Sequence, residues 1–289
     1  MKKILVSGEN GYIGKSFENT ISKYKENYSV DFISVRGEEW EKINFSDYDV
    51  FLHLAGKAHV SRSKKLEAEY YNINTNLTIR LAKKAKKDGL KHFIFMSSII
   101  VYGNMYEGIN YNTIPIPDNF YGNSKLLAEK KILELADDNF LITILRPPMI
   151  YGYKSKGNFD KLKKLSVKNP IFPLINNKRS VLYVENLNKF IKWTIDYEKK
   201  GIFILADLNT VSTSEIYNSL RSIKGKRTFL IPLPKVAIKM LSFIAIFRKM
   251  FGNLYYENND CEIQKISLDF DLENAIEKII ISESREDQI

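Results

Sequence analysis

The sequence predicts an α/β fold, with a doubly wound parallel sheet in its first half and a smaller C-terminal α/β lobe. Short apolar segments alternate with segments of helical spacing up to about residue 150, and repeated β-α-β units produce this alternation. Some apolar segments, such as residues 49–55, are nearly continuous. Strands that helices cover on both faces have this composition, so we expect a parallel sheet between two helical layers.

The expected elements follow in chain order. Strands are predicted at residues 3–7, 28–35, 49–55, 92–96 and 141–145, and helices at residues 12–24, 67–88 and 121–136. Gly89 would end the second helix, because glycine is favoured just after a helix C-terminus. Beyond residue 150 the pattern loosens, and further strands are predicted at residues 181–184 and 202–205.

Composition and charge are typical of a globular protein with a basic excess. The 289 residues include 44 Lys and Arg against 34 Asp and Glu, a net charge of +10. The basic residues are scattered over helical segments such as residues 83–87, so we expect them to face solvent and not nucleic acid. A single cysteine, Cys261, excludes an intramolecular disulfide and is typical of the reducing cytoplasm. The three histidines lack metal-ligand spacing, so no metal is expected, and no run approaches the ~20 apolar residues of a membrane span.

A glycine-rich turn between the first strand and the first helix predicts a dinucleotide site. Residues 8–14 read GENGYIG, with Gly8, Gly11 and Gly14 at regular intervals. Glycines at such a turn let the backbone approach a pyrophosphate, and the N–H groups at the helix start bind it. The predicted sheet is therefore Rossmann-like, and residues 1–152 are expected to form a dinucleotide-binding domain.

Tyr121 and Lys125 form a candidate proton-transfer pair. Their spacing of four residues places both side chains on one face of the predicted helix. An ammonium beside a phenol favours the phenolate, so Lys125 is expected to lower the pKa of Tyr121 from about 10. Tyr121 would then move a proton to or from a sugar or alcohol oxygen, and Ser98 would hold that oxygen in place.

These motifs together resemble the extended short-chain dehydrogenase/reductases of the NAD-dependent epimerase/dehydratase family. The likeness runs from residue 1 to about residue 225 and includes the segments HLAG at 53–56, SSIIVYG at 97–103 and LRPPMIYG at 145–152. The resemblance implies that Ser98, Tyr121 and Lys125 are catalytic. It also implies cofactor contacts by a larger set of residues: Gly8, Gly11, Tyr12, Ile13, Gly14, Leu54, Ala55, Gly56, Asn74, Ser97, Tyr121, Lys125 and Pro148.

The same resemblance implies a UDP-sugar substrate and a substrate-binding lobe at residues 153–281, with a chain that crosses between lobes. The segment RSVLYVENL at residues 179–187 is similar to the family's substrate-lobe segment. It implies that Arg179 binds the nucleotide diphosphate, and Asn158 is implied as a further substrate contact beside Ser98 and Tyr121. The Gly-Trp-x-Pro stretch usual near the family's C-terminus is missing after residue 225.

Three further expectations concern the rest of the chain. Residues 230–251 are apolar with interspersed Lys and Arg, and we favour packing of this segment in the substrate lobe over a helix on a membrane surface. Residues 282–289 are polar and are expected to form a flexible tail. Members of the family often dimerise through the helix of Tyr121 and the helix before Gly89, so a homodimer is expected here.

The end of the second predicted strand favours NADP(H) as the cofactor. In NAD-specific enzymes an acidic residue at this position binds the ribose 2′-hydroxyl, but residues 32–37 read FISVRG, without an acid. Arg36 lies beside the expected position, and a guanidinium suits a 2′-phosphate. Arg36 is therefore predicted to contact NADP(H), and NAD(H) is the alternative cofactor.

Three reactions share this catalytic machinery: 4-epimerisation, 4,6-dehydration and 4-ketoreduction. Ile99 and Ile100 stand where the dehydratases of the family have Asp-Glu, and aliphatic side chains cannot carry protons, so dehydration is not expected. Arg36 favours reduction, and a finer resemblance implies a 4-ketoreductase acting on UDP-2-acetamido-2,6-dideoxy-4-hexulose for surface polysaccharide synthesis. The alternatives are a UDP-hexose or UDP-N-acetylhexosamine 4-epimerase with tightly bound NAD and, from another class, a non-catalytic dinucleotide-binding sensor.

Overall fold

The parallel sheet predicted from the sequence is confirmed by a computed structural model of the chain. The structure describes residues 1–58, 64–103, 108–234, 250–257 and 271–286, and the single positions 236, 240, 241, 243, 244 and 247. The strands of this part are β1 Lys2–Ser7, β2 Tyr28–Ile33, β3 Val50–His53, β4 His92–Met96, β5 Leu141–Arg146, β6 Met149–Tyr151, β7 Ile171–Leu174, β8 Val181–Tyr183, β9 Gly201–Ile204 and β10 Phe229–Pro232.

Eight α-helices are described alongside these strands. They are α1 Tyr12–Ile21, α2 Glu67–Tyr70, α3 Leu77–Lys87, α4 Phe120–Leu133, α5 Asn158–Lys168, α6 Val184–Asp196, α7 Thr213–Ser222 and α8 Leu272–Glu286. A π-helical turn, Tyr71–Asn76, joins α2 to α3. The predicted helix at residues 67–88 is therefore one helical stretch with a widened turn, and such turns occur frequently at functional sites.

The main sheet has six strands in the order β2-β1-β3-β4-β5-β9, and all neighbours in it are parallel. The chain moves from β1 outward to β2 and then returns to β3 on the other side of β1. This reversal creates a switch point between β1 and β3 at the carboxyl ends of the strands. Ligands of doubly wound sheets bind at such a point.

Every side chain of β3 and β4 is buried, as their continuous apolar composition predicts. On one side of the sheet, aromatic residues of the strands and loops form a core with small and aliphatic residues of α3 and α4. Each large apolar side chain contributes about 1.5–3 kcal/mol by its burial. The core includes Phe45, Phe51, Phe93, Phe95, Phe140, Leu81, Ala82, Ala85, Ala128 and Ile132.

The chain divides into two compact units, and both are discontinuous in sequence. The first contains Met1–Gly103, Asn112–Pro147 and Leu187–Leu205, and the second contains Asn104–Tyr111, Pro148–Asn186 and Ala206–Ile289. The sequence predicts lobes at residues 1–152 and 153–281 with a chain that crosses between them, and the bounds of the units differ from these at residues 187–205. The difference arises because β9 pairs with β5 and completes the main sheet, from Thr143 beside Gly201 to Arg146 beside Ile204.

The second unit contains two small parallel sheets, one of β6 and β8 and one of β7 and β10. Its helix α8 continues to residue 286, through a stretch that was expected to be a flexible tail. The Ser282 hydroxyl donates to the Lys278 carbonyl at 2.8 Å, and Glu283 forms an ion pair with Lys163. These contacts hold the last turns of the helix, and residues 287–289 lie outside the described residues.

The apolar segment at residues 230–251 packs within the second unit at its two ends, where β10 pairs with β7 and the Phe251 ring lies 5.8 Å from the Phe172 ring. Its first residues belong to β10, and four of its described side chains, Val236, Met240, Phe243 and Ile244, are 52–80% exposed. The basic residues Lys235, Lys239, Arg248 and Lys249 lie outside the described residues. Among the described residues, no helix is long and apolar enough to cross a membrane.

Candidate active site

The turn after β1 has the geometry of a pyrophosphate site. Gly8 has a φ of +96°, a conformation that strains a residue with a Cβ atom. The Gly11 N–H donates to the Gly8 carbonyl at 2.7 Å, and Tyr12, Ile13 and Gly14 then begin α1. Within the described chain no side chain caps this helix start, and its first turn has no acidic residue. The N–H groups at the helix N-terminus therefore suit the phosphates of a dinucleotide.

A buried hydrogen-bond network fixes the neighbouring loop after β3, residues 54–56. The Ser7 hydroxyl lies 2.7 Å from His53 Nδ1 and accepts the N–H groups of Leu54 and Ala55, both at 3.1 Å. His53 Nε2 lies 3.0 Å from the Thr78 hydroxyl. Burial lowers the pKa of His53 to about 3, so its ring is neutral at physiological pH. His53 therefore orients the loop beneath the predicted cofactor and does not transfer protons.

Gly56, Asn74 and Lys125 converge at the end of this loop. A Cβ atom on Gly56 would lie 3.0 Å from Asn74 Oδ1 and 3.1 Å from Lys125 Nζ, so a side chain at this position would collide with both groups. Asn74 Oδ1 accepts the Lys57 N–H at 2.8 Å, and its Nδ2 donates to the Lys57 carbonyl and to Ser124, both at 3.1 Å. The Asn74 side chain thus ties the β3 loop to α4.

The ammonium of Lys125 is buried between α4 and the end of β4. Its Nζ donates to the Met96 carbonyl at 2.8 Å and lies 4.5 Å from the centre of the Phe95 ring. Burial lowers the pKa of Lys125 to about 8, and the nearby Glu129 carboxylate opposes that change. Lys125 is therefore a cation at neutral pH that loses its charge under mildly alkaline conditions.

Tyr121 lies near Ser98, whose side chain lowers the pKa of the phenol against the larger opposing effect of burial. Asn119 caps α4 by accepting the Gly122 N–H at 2.9 Å. A Cβ atom on Gly122 would lie 2.7 Å from the Ile100 carbonyl, so glycine at this position lets α4 approach the 3₁₀ turn Ile99–Tyr102 that follows Ser98. This close approach brings the phenol of Tyr121 to the hydroxyl of Ser98.

The expected lowering of the Tyr121 pKa is not found. Burial raises the pKa of Tyr121 above its ordinary value of 10.0, and the hydrogen bond from Ser98 opposes that rise without overcoming it. Lys125 does not dominate, because it is itself buried and donates to the Met96 carbonyl. Tyr121 is thus a protonated phenol at neutral pH.

Ser97 belongs to a buried ionic network, although the sequence predicts that it contacts the cofactor. Its hydroxyl donates to Glu129, and Arg146 donates to both carboxylate oxygens of Glu129 from Nε at 3.2 Å. Arg146 Nη1 donates to the Tyr102 hydroxyl at 2.7 Å. The Ser97 side chain is therefore used within the protein, and a contact to the cofactor would come from its backbone.

Arg36 lies just after β2 and is exposed. Its backbone N–H is 3.5 Å from the hydroxyl of Ser34, the residue that follows the strand. Nearby, Arg80 forms ion pairs with Glu38 and Glu41, and Lys42 forms one with Glu39, so these three carboxylates on the loop have basic partners of their own. The guanidinium of Arg36 is thus accessible to a ligand from solvent.

The second unit holds the two predicted substrate residues beside one cavity. Asn158 begins α5, and Arg179 donates from Nη1 to the Gly252 carbonyl at 2.9 Å. Burial lowers the pKa of Arg179 to about 10, so an anion near the guanidinium would offset the cost of burying its charge. The lining residues are Met149, Asn158, Leu162, Arg179, Thr213, Ile216 and Met250. Pro148 also belongs to this unit and lies directly before β6.

Asp207 is a buried carboxylate of the second unit that the sequence analysis missed. It accepts the Tyr183 N–H at 3.2 and 3.0 Å and the Asn186 amide at 2.8 Å. Burial raises its pKa from 3.8 to about 6, and these hydrogen bonds oppose the rise. Asp207 fixes the junction between β8 and α6 through these two donors.

The first unit brings most of the predicted residues together at the carboxyl ends of β1, β3 and β4 and the start of α4. Sequence reasoning missed the residues that orient them, namely Ser7, Thr78, Asn119, Gly122 and Glu129. The spacing from Tyr121 through Lys125 to Glu129 was a readable signal, because three positions four apart share one helix face. Among the described residues, no group of His, Cys, Asp and Glu could hold a metal ion, and His59 lies outside them.

This fold, with its dinucleotide turn and its Ser-Tyr-Lys group, defines an NAD(P)-dependent enzyme of sugar-nucleotide chemistry. The chain belongs to the NAD-dependent epimerase/dehydratase family, whose model matches residues 4–206.

Two curated relatives illustrate the similarity in sequence. UDP-glucose 4-epimerase of Vibrio cholerae is 33% identical over 279 residues, which span 87% of this chain and 83% of that protein. N-acetyl-α-D-glucosaminyl-diphospho-ditrans,octacis-undecaprenol 4-epimerase of Escherichia coli O157:H7 is 33% identical over 132 residues, 44% of this chain and 40% of that protein. Both are named as sugar 4-epimerases.

Solved structures agree on the fold. UDP-N-acetylglucosamine 4-epimerase of Bacillus cereus matches with a TM-score of 0.79 at 19% identity, over 98% of this chain and 99% of that chain. dTDP-4-dehydrorhamnose reductase of Bacillus anthracis, in complex with NADP, matches with a TM-score of 0.76 at 20% identity, over 98% and 100%. At these identities the likeness shows the shared fold alone.

Proposed function

We propose that the protein moves a hydride and a proton at C4 of a UDP-sugar, and that its reaction is 4-epimerisation. The observation that carries this proposal is the proximity of Tyr121 to Ser98, whose side chain lowers the pKa of the phenol, together with the buried ammonium of Lys125 on the same helix face. A bound nicotinamide dinucleotide would accept and return the hydride. The protein side of the reaction is then the control of one proton on the sugar O4 atom.

The roles of the side chains follow from their ionisation and contacts. In the first half of an epimerisation, the phenolate of Tyr121 would accept the O4 proton as C4 loses its hydride, and in the second half the phenol would return that proton to O4. The raised pKa of Tyr121 favours the protonated form that the second half consumes, so Tyr121 has to release its proton before the first half begins. Ser98 would hydrogen-bond the same oxygen and stabilise the charge that develops there. Lys125 would supply positive charge and position the ribose of the cofactor.

The choice of epimerisation rests on the relatives. The Vibrio cholerae protein named UDP-glucose 4-epimerase is similar over most of both chains, whereas the reductase from Bacillus anthracis supports the fold alone. The buried Arg179, with a pKa lowered to about 10, suits a diphosphate, and Asn158 lines the same cavity. We therefore assign UDP-sugar binding to Arg179 and Asn158 in addition to Ser98 and Tyr121.

A second candidate is the 4-ketoreductase that acts on UDP-2-acetamido-2,6-dideoxy-4-hexulose with NADP(H). It is favoured by one observation: the end of β2 has Ser34 and the exposed Arg36 in place of an acid. A serine hydroxyl and a guanidinium would bind a 2′-phosphate, which an acidic residue would repel. NADP(H) is exchanged at each reductive turnover, whereas an epimerase keeps its dinucleotide bound.

One pair of assays separates the two reactions. The purified protein is incubated with UDP-glucose or UDP-N-acetylglucosamine, and the 4-epimer is measured by NMR without net change in cofactor. A parallel assay follows NADPH oxidation with the UDP-4-keto sugar. Epimer formation supports the first reaction, NADPH oxidation supports the second, and dinucleotide binding with neither activity would contradict both. Light scattering of the same preparation tests the proposed homodimer.

A further inference from the structure

Three side chains of α4, spaced four residues apart, face three consecutive residues, the last residue of β4 and the two that follow it. Tyr121 lies near Ser98, whose side chain lowers the pKa of the phenol. Lys125 donates to the Met96 carbonyl at 2.8 Å, and Glu129 accepts from the Ser97 hydroxyl. The first two contacts belong to the proposed chemistry. The third lies deeper, since the Glu129 side chain is 1% exposed.

Glu129 also connects α4 to the neighbouring strand. Arg146, at the end of β5, donates to both oxygens of its carboxylate and is 6% exposed. The Ser97 N–H donates to the Leu145 carbonyl at 2.7 Å, so the ends of β4 and β5 are paired where both contact Glu129. A planar guanidinium bound through two oxygens restricts rotation of the carboxylate.

We propose that Glu129 is a positioning residue whose carboxylate clamps α4 to the ends of β4 and β5 and thereby places Tyr121 and Lys125 against Ser98. This inference rests on the proposed function, because UDP-sugar turnover is the measurement that reports whether Tyr121 and Lys125 are correctly placed. It extends that function, because Glu129 acts through the residues that it positions.

The pKa of Lys125 provides a specific measurement, because a general loss of packing would not lower it. Glu129 on the same helix is the carboxylate near Lys125, and it raises a pKa that burial lowers. His53 of β3 is the other ionisable group that interacts with the ammonium, and it is neutral. Tyr121, one turn earlier on the helix, is a protonated phenol. Removal of the Glu129 charge is therefore expected to lower the pKa of Lys125 below its value of about 8.

The test compares E129Q and the double variant E129Q/R146M with wild type. The double variant also removes the Arg146 guanidinium, which E129Q alone would leave buried without a carboxylate partner. Thermal melting tests whether each variant folds. The ¹³Cε resonance of Lys125, assigned by its absence in K125R, is titrated by NMR. In both variants its midpoint is expected at a lower pH than in wild type. Turnover is expected to fall about 10²-fold, the loss that a small misplacement of a catalytic group causes.

Two further variants complete the design. E134Q changes the exposed Glu134 at the end of the same helix, which pairs with Lys131 on the surface, and is expected to leave the Lys125 titration and turnover at wild-type values. S97A frees Glu129 from β4 without unpairing Arg146, so it provides a mild variant if the others fold poorly, and turnover is expected to fall in it as well. Wild-type Lys125 titration and turnover in folded E129Q/R146M, or wild-type turnover in S97A, would overturn the proposal. A wild-type protein that turns over no UDP-sugar, but whose Lys125 titration shifts in E129Q, would contradict the proposed function instead.

Discussion

At the scale of single residues, the site is governed by burial more than by pairing of charges. The phenol of Tyr121 and the ammonium of Lys125 are both shifted toward their neutral forms, the first by a raised pKa and the second by a pKa lowered to about 8. A desolvated pair of this kind responds strongly to any charge that a ligand introduces. The protein thus holds its proton donor in the form that a reduction step consumes.

The first prediction concerns Tyr121→Phe. The variant is expected to fold and to bind dinucleotide as wild type does, because the substitution removes one hydroxyl. Turnover is expected to fall by about 10²–10⁴-fold, the usual contribution of a general acid or base. Steady-state assays with the UDP-sugar, beside thermal melting, measure both effects, and wild-type turnover would refute the role.

The second prediction concerns Arg36→Ala. If Arg36 binds a 2′-phosphate, the affinity for NADPH is expected to fall by about 10-fold or more, which corresponds to the loss of one charge-assisted contact. The affinity for NADH is expected to stay unchanged. Fluorescence titration with both dinucleotides checks this, and Arg80→Ala is a matched control at an arginine that already pairs with Glu38 and Glu41. Equal loss for both cofactors would contradict the assignment.

At the scale of elements, close contacts between α4 and the β4 loop set the geometry of the site. Sequence patterns identified the strands, the first helix and the Tyr121–Lys125 face, because apolar periodicity and short spacings are local properties. They could not identify Gly122 or Asn119 as site residues. Glycine is needed at position 122 because the Ile100 carbonyl lies close to it, and only folding brings these two residues together. The predicted lowering of the Tyr121 pKa was wrong for the same reason. A spacing of four residues does not reveal that the folded chain buries the phenol, and burial raises its pKa.

The third prediction concerns Gly122→Ala. A methyl group at this position would meet the Ile100 carbonyl at 2.7 Å, so α4 has to move away from the turn after Ser98. We expect a loss of about 1–3 kcal/mol in stability from the overpacking and a fall in turnover larger than that in folded fraction. Leu127→Ala on the exposed side of the same helix is the control. Turnover equal to that control would show that the close contact does not matter.

The fourth prediction concerns the pH dependence that Asp207 confers. Its pKa is raised from 3.8 to about 6, so the folded protein binds a proton that the unfolded chain releases, and this stability is present below pH 3.8 and lost as pH rises to 6. The full effect is about 3 kcal/mol. Relative to wild type, Asp207→Asn is therefore expected to gain stability between pH 4 and pH 6.

Urea unfolding of both proteins across pH 4–7 measures this difference. Comparison with the variant cancels the contribution of other carboxylates, and Asp160→Asn, which removes a surface partner of Lys164, serves as the control. A constant difference in unfolding free energy between wild type and Asp207→Asn across that range would contradict the prediction.

At the scale of the whole molecule, the order of strands in the main sheet differs from their order in the chain, because β9 lies directly beside β5. The sequence predicts lobes at residues 1–152 and 153–281 with a chain that crosses between them, but it does not locate the crossing. The first unit nevertheless includes Leu187–Leu205, whose strand β9 pairs with β5. No local pattern reveals such a pairing, since its partners lie more than fifty residues apart in the chain.

The fifth prediction concerns a fragment of residues 1–152. It lacks β9, so the backbone of β5 from Thr143 to Arg146 becomes an unpaired edge. Such edges promote association with other chains, and we expect the fragment to aggregate or to elute as large oligomers in size-exclusion chromatography. The full chain under the same conditions is the control, and a monodisperse fragment that binds dinucleotide would refute the expectation.

The late position of β9 also matters while the protein is being synthesised. Between the end of β5 at Arg146 and the start of β9 at Gly201, the ribosome adds about 54 residues, which takes about 3–11 s at ordinary rates of translation. During that interval the nascent sheet ends in an open strand. Factors that bind exposed strand edges on newly made chains would meet this protein in that window, after Ser98, Tyr121 and Lys125 have been synthesised and before the sheet is complete.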